Sequence, residues 1–479
     1  MEFSSITFVI FFIAVASLLW LTDARFISRK VDENKRRSAR HIIMLVASYV
    51  FYGWWDWRFC FLMLGLSFIA YICAKKIDEN KNAKLFKAIG IVVPLVVLGI
   101  FKYFNFFVDS FADLFSIENT HTLNIILPVG ISFYTFQSMS YTIDVIRKQI
   151  KSCSFIKVAL YVSFFPQLVA GPIVKAADFI PQLSENRNIN WNNISKGMQI
   201  FIMGLFKKIV ISDNLSVFVE DVFSKPDAFN SLTVILAVIS YSIQIYCDFS
   251  GYSDMAIGSA KCLGYDFNSN FNMPYISKNV SEFWKRWHIS LSTWLQQYLY
   301  IPLGGNRKGT GRMYINLLLT MVLGGLWHGA SWNFVLWGAL HGMALCIHKL
   351  FKSARKGKAP TKIGSALSVL TTYIFVCVCW VFFRAPDMTT ALTVIKKMFV
   401  FSDGILQVFS WAVFAIGVLL IATVVAVIKS KRQNLKTVSG FYPCLNLEKI
   451  SSLIILITVL GLTLGIAYTG SNPFIYFQF

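Results

Sequence analysis

The sequence predicts an all-α polytopic membrane protein with about eleven transmembrane helices, supplemented by re-entrant and interfacial helices. Three observations lead there. Hydrophobic residues make up 56% of the 479 and charged residues 14%, against about 25% charge in an ordinary soluble domain. So apolar a chain could not cover its own surface in water, whereas a bilayer accepts apolar surface on every side. Apolar runs near the ~20 residues needed to cross ~30 Å of hydrocarbon recur along the whole length. The positive charge, a formal net of +21, sits in short loops between those runs, where membrane topology places it.

Taken in order, Phe3–Leu21 is the first run. It begins beside Glu2, lacks a basic leader and is followed by basic residues, so it reads as a retained helix and not a cleaved signal. Arg25–Arg40 carries seven basic residues and reads as a cytoplasmic loop. His41–Ala74 is too long for one crossing and reads as a hairpin turning near Trp54–Trp57, back to the basic Lys75–Lys87. Ile89–Phe107 leads out to the acidic Asp109–His121, and Asn124–Ile146 returns. Leu232–Cys247, Ala366–Phe383, Phe409–Ile428 and Leu453–Tyr468 are further crossings, with basic Lys349–Lys362 and Lys429–Lys449 inside. The trace places both termini outside. No internal repeat or soluble domain appears, so residues 1–479 read as one integral membrane domain, with 351–479 supplying its C-terminal transmembrane helices.

Two segments break this pattern. Phe155–Leu183 contains Pro166, Gly171, Pro172 and Pro181, and Asp248–Arg312 is rich in Gly, Asn, Ser and aromatic residues. Such backbone cannot face lipid, because its polar groups would go unpaired. It must lie at the interface or line a cavity within protein. Glu282–Tyr300 mixes Phe283, Trp284, Trp287, Leu291 and Trp294 with Lys285, Arg286 and His288, a composition suited to a helix at the headgroups.

The nine cysteines lie mostly in apolar runs, with no zinc-type spacing, so neither a metal site nor a disulfide framework is expected. The basic charge follows topology, and nucleic-acid binding is not expected. No P-loop, dinucleotide fingerprint or Gly-x-Ser-x-Gly elbow occurs. Asp248 and Asp254 are six apart across Gly251 and read as network or loop-capping residues.

His328 is the leading candidate for chemistry. It sits in Gly324-Gly325-Leu326-Trp327-His328-Gly329-Ala330-Ser331-Trp332-Asn333. The flanking apolar arms, Met313–Leu326 and Phe334–Ile347, are each about 14 residues or ~21 Å as helix. Arms shorter than the hydrocarbon core place the turn inside the membrane, where an ionisable residue is a functional hypothesis by default. A neutral imidazole there can serve as a general base; the competing reading is a helix-packing histidine. His288 is either a headgroup-level residue or a second catalytic or orienting group. His341 could support the site, His348 reads as a boundary residue, and His41 and His121 read as solvated loop edges.

Several stretches jointly resemble the membrane-bound O-acyltransferase family, in its bacterial branch that modifies extracellular polymers. They are Tyr246–Gly258 (YCDFSGYSDMAIG), Glu282–Trp294 (EFWKRWHISLSTW) continuing to Tyr300–Arg307 (YIPLGGNR), and Gly325–Asn333 (GLWHGASWN). Pro128–Tyr134 and Phe164–Pro172 match as well, so the resemblance spans about residues 40–350. It implies an acyltransferase of the bacterial plasma membrane with a funnel through the bilayer. His328 corresponds to the family's catalytic histidine and His288 to the second histidine, with Trp327, Ser331, Trp332, Asn333, Trp287 and His341 as tunnel or supporting residues. It also implies acetyl transfer from acetyl-CoA or another acyl thioester, with no bound cofactor, to a polysaccharide or peptidoglycan acceptor. The acceptor could be reached through an extracytoplasmic SGNH-type partner protein. The alginate-type pattern reads Leu-Arg-Asp-Tyr after the tryptophan, whereas this chain has Leu295-Gln296-Gln297-Tyr298; a charge pair is replaced by two amides. D-alanyl transfer to teichoic acid is the nearest alternative activity. A transporter or flippase is the alternative of a different class, although no inverted repeat supports it.

Overall fold

The computed structural model describes residues 1–23, 31–117, 122–169, 171–185, 187, 189–354, 361–433, 445–470 and 472–475. Its α-helices are α1 (Ile6–Asp23), α2 (Glu33–Asp56), α3 (Arg58–Asp78), α4 (Ala83–Leu98), α5 (Phe104–Phe115), α6 (Ile131–Ile146), α7 (Phe155–Ser163), α8 (Phe165–Leu168), α9 (Ala176–Ser184) and α10 (Trp191–Leu205). They continue with α11 (Asp213–Ser224), α12 (Ser231–Cys262), α13 (Val280–Arg286), α14 (Ile289–Trp294), α15 (Thr310–His328), α16 (Trp332–Ala354), α17 (Lys362–Arg384), α18 (Met388–Phe399), α19 (Ser410–Arg432) and α20 (Ile450–Gly465). Seven helical stretches among the described residues are long and apolar enough to cross a membrane: α1, α3, α4 through α5, α12, α16, α17 and α19. The protein is therefore an all-α, multi-pass membrane protein. His121 and Cys444 lie outside the described residues, and the other eight cysteines are free thiols.

The chain forms two compact units, residues 1–201 with 252–268, and residues 202–251 with 269–479. In the first unit, α1 turns only Phe8, Val15 and Leu19 inward. Phe8 meets Phe51 edge-on at 6.1 Å, and Phe11 meets Phe165 edge-on at 5.2 Å. Asp32 caps α2 by accepting from the Asn34 N–H, and the turn into α3 falls at Trp57, where the hairpin is expected. The Pro-rich segment is broken into α7, α8 and α9, and side chains satisfy its backbone. The Phe165 N–H donates to Ser48 Oγ at 3.1 Å, Gln167 Nε2 donates to the Tyr161 carbonyl at 2.8 Å, and Tyr161 OH donates to the Val174 carbonyl at 2.9 Å. Those bonds let irregular backbone persist away from water. His41 is not at a solvated loop edge: it is buried within α2. The helix begins inside the basic segment, and Arg40, paired with Asp23 at 2.6 Å, anchors that end.

Helix α12 runs past the expected end of its apolar run at Cys247. Helix runs unbroken through Asp248, Gly251 and Asp254, and a Cβ at Gly251 would lie 2.7 Å from the Gly204 carbonyl. Glycine serves here as a contact point between helices, and packing outweighs its intrinsic helix cost of about 1 kcal/mol. Asp248 is a network residue, as expected. With Asp213 it flanks the buried Lys208, at 2.7 and 2.8 Å. The chain near the C-terminus completes this cluster. Lys208 Nζ donates to the Asn472 carbonyl at 3.1 Å, Asn472 Nδ2 donates to Asp213 at 3.3 Å, and the Ile475 N–H donates to Asp248 at 2.9 Å.

Candidate active site

The second unit also holds the candidate residues. α15 ends on His328 and α16 begins at Trp332, so only residues 329–331 join them. Both helices exceed the expected short arms: 19 and 23 residues, or about 28 and 34 Å. The polar ends, Thr310–Arg312 and His348–Ala354, continue the helices, since long cationic side chains reach past an apolar boundary. Arm length therefore does not set the depth of His328. Small residues do bring the two helices together: a Cβ at Gly325 would lie 2.2 Å from the Phe334 carbonyl, and one at Gly329 would lie 2.2 Å from the Phe334 ring. The bend at His328 requires glycine on both counts.

His328 is buried and boxed by aromatic rings. Trp327, Trp337 and Phe383 meet it edge-on, at 5.0, 5.1 and 5.2 Å between centroids. Trp327 also neighbours His288, at 6.1 Å between ring centroids. One indole thus neighbours both imidazoles.

His288 is fully buried and sits between α13 and α14 with φ 42° and ψ 57°. The expected amphipathic helix over 282–300 does not form as one headgroup-level element. It is two short helices and a wide turn of helix over 295–300, with Phe283, Trp284, Trp287, Leu291 and Trp294 all buried. The physical reason is the pairing of this segment with residues 270–272. The Asn272 N–H donates to the Arg286 carbonyl, and the Ile289 N–H to the Asn270 carbonyl, both at 2.9 Å. Both bonds flank His288 and hold the left-handed joint. Phe249 packs edge-on against the His288 ring at 4.5 Å. Nδ1 lies 3.2 Å from Asn270 Oδ1, while Nε2 is buried and makes no hydrogen bond among the described residues. His288 lies outside the spanning helices. Burial pulls its pKa down to about 3, so the ring is neutral at physiological pH.

The other expected residues divide. Trp287 stacks on Phe283 at 5.6 Å and belongs to the cluster. His341 is buried beside Trp337 at 4.8 Å, and its Nδ1 accepts from Trp284 Nε1 at 3.3 Å. Asn333 is buried but spans to α17, donating from Nδ2 to the Ala385 carbonyl at 3.1 Å. Ser331 Oγ accepts from the Asn333 N–H at 3.2 Å and so caps α16. Trp332, in contrast, has 61% of its surface exposed. Sequence reasoning missed Asn270 and Trp337, which have no local signature, and placed Trp284 at the headgroups. Among the described residues no group of three or more His, Cys, Asp or Glu is arranged to hold a metal ion.

A multi-pass α-helical protein with buried histidines on a glycine-shaped bend is an arrangement suited to acyl transfer within a membrane. The chain belongs to the membrane-bound O-acyltransferase family, whose sequence profile matches residues 88–386; it is an O-acyltransferase. It is 40% identical over 445 residues to the probable alginate O-acetylase AlgI of Azotobacter vinelandii, covering 90% of this chain and 85% of that one. The peptidoglycan O-acetyltransferase of Helicobacter pylori is 39% identical over 385 residues, 74% of this chain and 73% of that one. The teichoic acid D-alanyltransferase of Bacillus subtilis is more distant, at 26% over 271 residues, 53% of this chain and 68% of that one.

Proposed function

We propose that this protein is an O-acetyltransferase of a bacterial plasma membrane that moves acetyl from a cytoplasmic thioester to an extracellular polysaccharide or peptidoglycan. Acetyl-CoA or another acyl thioester is the donor. The observation behind this reading is that His288 and His328 both neighbour Trp327, at 6.1 and 5.0 Å between ring centroids, in a chain whose more similar relatives are named for O-acetylation.

In this reading His328 takes the proton of an accepting hydroxyl. The freed oxygen attacks the thioester carbonyl, the tetrahedral intermediate collapses, the C–S bond breaks, and the leaving thiolate recovers the proton. His288 orients the hydroxyl. The aromatic walls exclude water, which would otherwise compete as the acceptor. The hydroxyl belongs either to the polymer or to a serine of an extracytoplasmic SGNH-type partner protein. The chain has no long polar stretch of its own to hold a polymer. The basic loops lie on the donor side, and both termini lie outside.

The test is polymer acetylation in cells expressing His328→Ala or His288→Ala, each checked for normal amounts in the membrane. Acetylation should fall at least about 100-fold for His328→Ala, the lower range for a positioned general base. Wild-type acetylation by both variants would overturn the assignment. Radiolabelled acetyl trapped on the polymer or partner separates this reading from transport, which leaves no covalent label.

A further inference from the structure

We infer that Asn270 fixes the tautomer of His288, so that the imidazole carries its proton on Nδ1 and presents the Nε2 lone pair as an acceptor. This deepens the role given to His288 above and rests on that reading. The assignment follows from donors whose direction is not in doubt. The backbone N–H of Ser290 lies 3.1 Å from Asn270 Oδ1. A backbone N–H can only donate, so the Asn270 atom at that point is the carbonyl oxygen, and the amide cannot be the other way round. Ser290 Oγ donates to the same oxygen at 2.9 Å. A carbonyl oxygen can only accept. His288 Nδ1, 3.2 Å away, must therefore be the donor, and a neutral ring with hydrogen on Nδ1 has a lone pair on Nε2.

Three further observations agree. Nε2 is the ring atom left buried with no hydrogen bond among the described residues. Ser290 Oγ lies 3.4 Å from Nδ1, within reach of the same ring hydrogen. The left-handed backbone at His288 is what turns both the Ile289 and Ser290 N–H groups onto Asn270; a strained conformation that non-glycine residues adopt infrequently is held by bonds to one side chain and its backbone. His341 is the internal contrast. Its Nδ1 accepts from the indole N–H of Trp284, and indole can only donate, so His341 carries its hydrogen on Nε2.

The consequence is chemical. With its lone pair on Nε2, neutral His288 can accept a hydrogen bond from the incoming hydroxyl. It cannot donate from Nε2 to a carbonyl oxygen, so it orients the nucleophile and does not polarise the thioester. Asn270 is a positioning residue that acts through the ring.

The experiment uses the full-length protein labelled with 15N and 13C histidine, in lipid, compared with His288→Gln to identify the His288 signals among six histidines. Carbon–nitrogen correlation spectra should show Nδ1 protonated and Nε2 bare. The same membranes receive radiolabelled acetyl-CoA. Asn270→Ala should cost on the order of 100-fold in transfer and redistribute the His288 proton. Asn270→Asp keeps an acceptor oxygen in place and should retain most transfer and the Nδ1–H signal. Its acid limb should move to higher pH, because a carboxylate favours the imidazolium. A wild-type His288 protonated on Nε2, or Asn270→Ala with wild-type transfer, overturns the inference. Wild-type transfer by His288→Gln would instead sink the role given to His288 and with it the positioning role of Asn270, while leaving the spectroscopic tautomer assignment standing.

Discussion

Replacing His288 with glutamine removes one buried imidazole, and the structure fixes how the stability gap between the two proteins changes with pH. The folded-state pKa of His288 is pulled down to about 3 by burial, against about 6.5 in an unfolded chain. Its folded pKa is depressed, so above pH 6.5 the ring is neutral in both states and linkage is silent. As pH falls below 6.5 the unfolded chain takes up a proton that the folded protein refuses, and stability is lost until the pH reaches the folded value. Across pH 7 to pH 5 the loss is about 2 kcal/mol, approaching 1.4 kcal/mol per pH unit at the acid end. The glutamine variant has no such proton. Whatever the gap in unfolding free energy between wild type and His288→Gln at pH 7, it should shift by about 2 kcal/mol against the wild type at pH 5. Denaturant titrations of both proteins in detergent at pH 7, 6 and 5 measure it, with the remaining histidines common to both. A gap that stays constant over this range would refute the reasoning, because it would mean that His288 protonates in place.

Two further sets of substitutions probe the surroundings. Lys208→Met leaves Asp213 and Asp248 buried without their cation and should cost about 3–5 kcal/mol of stability; adding Asp213→Asn and Asp248→Asn should recover most of it in the same unfolding titration, and a triple variant no better than the single one would refute the pairing. Trp327→Ala removes the indole that neighbours both imidazoles and should lower acetyl transfer at least about tenfold, while Trp332→Ala, at an exposed position, should change it by less than about twofold; equal losses in a radiolabelled transfer assay would show that the cluster is not the site.

Much of this site could be read from the chain because its signals are local. Gly325, Trp327, His328 and Gly329 lie within five consecutive residues, and the glycines do what their presence suggests by admitting Phe334. The broken segment after Phe155 was legible for a similar reason, since Pro166 and Pro172 cannot continue a helix. Errors arose where tertiary contacts outweighed local composition. The polar, Gly-rich stretch after Cys247 looked irregular, yet its first residues continue a helix in which Gly251 makes the close contact with the Gly204 carbonyl. Residues 282–300 looked amphipathic, yet their aromatic face is buried within the protein. His41 looked solvated because basic residues surround it, but an ion pair between Arg40 and Asp23, seventeen residues apart, anchors that end of the helix.

Asn270 shows where reading a single sequence stops. It is one of three asparagines, at 268, 270 and 272, in a short polar stretch, and nothing in composition or spacing separates them. The structure does so by strand-like register: pairing Asn272 with Arg286 and Asn270 with Ile289 puts the side chain of the middle asparagine against His288. Shifting the register by one residue would exchange which side chains face the ring, and the histidine would lose its acceptor. The chemistry assigned to His288 therefore depends on a pairing between two irregular segments. The tightness of the left-handed joint at His288, more than the identity of the flanking aromatics, should govern whether the site works.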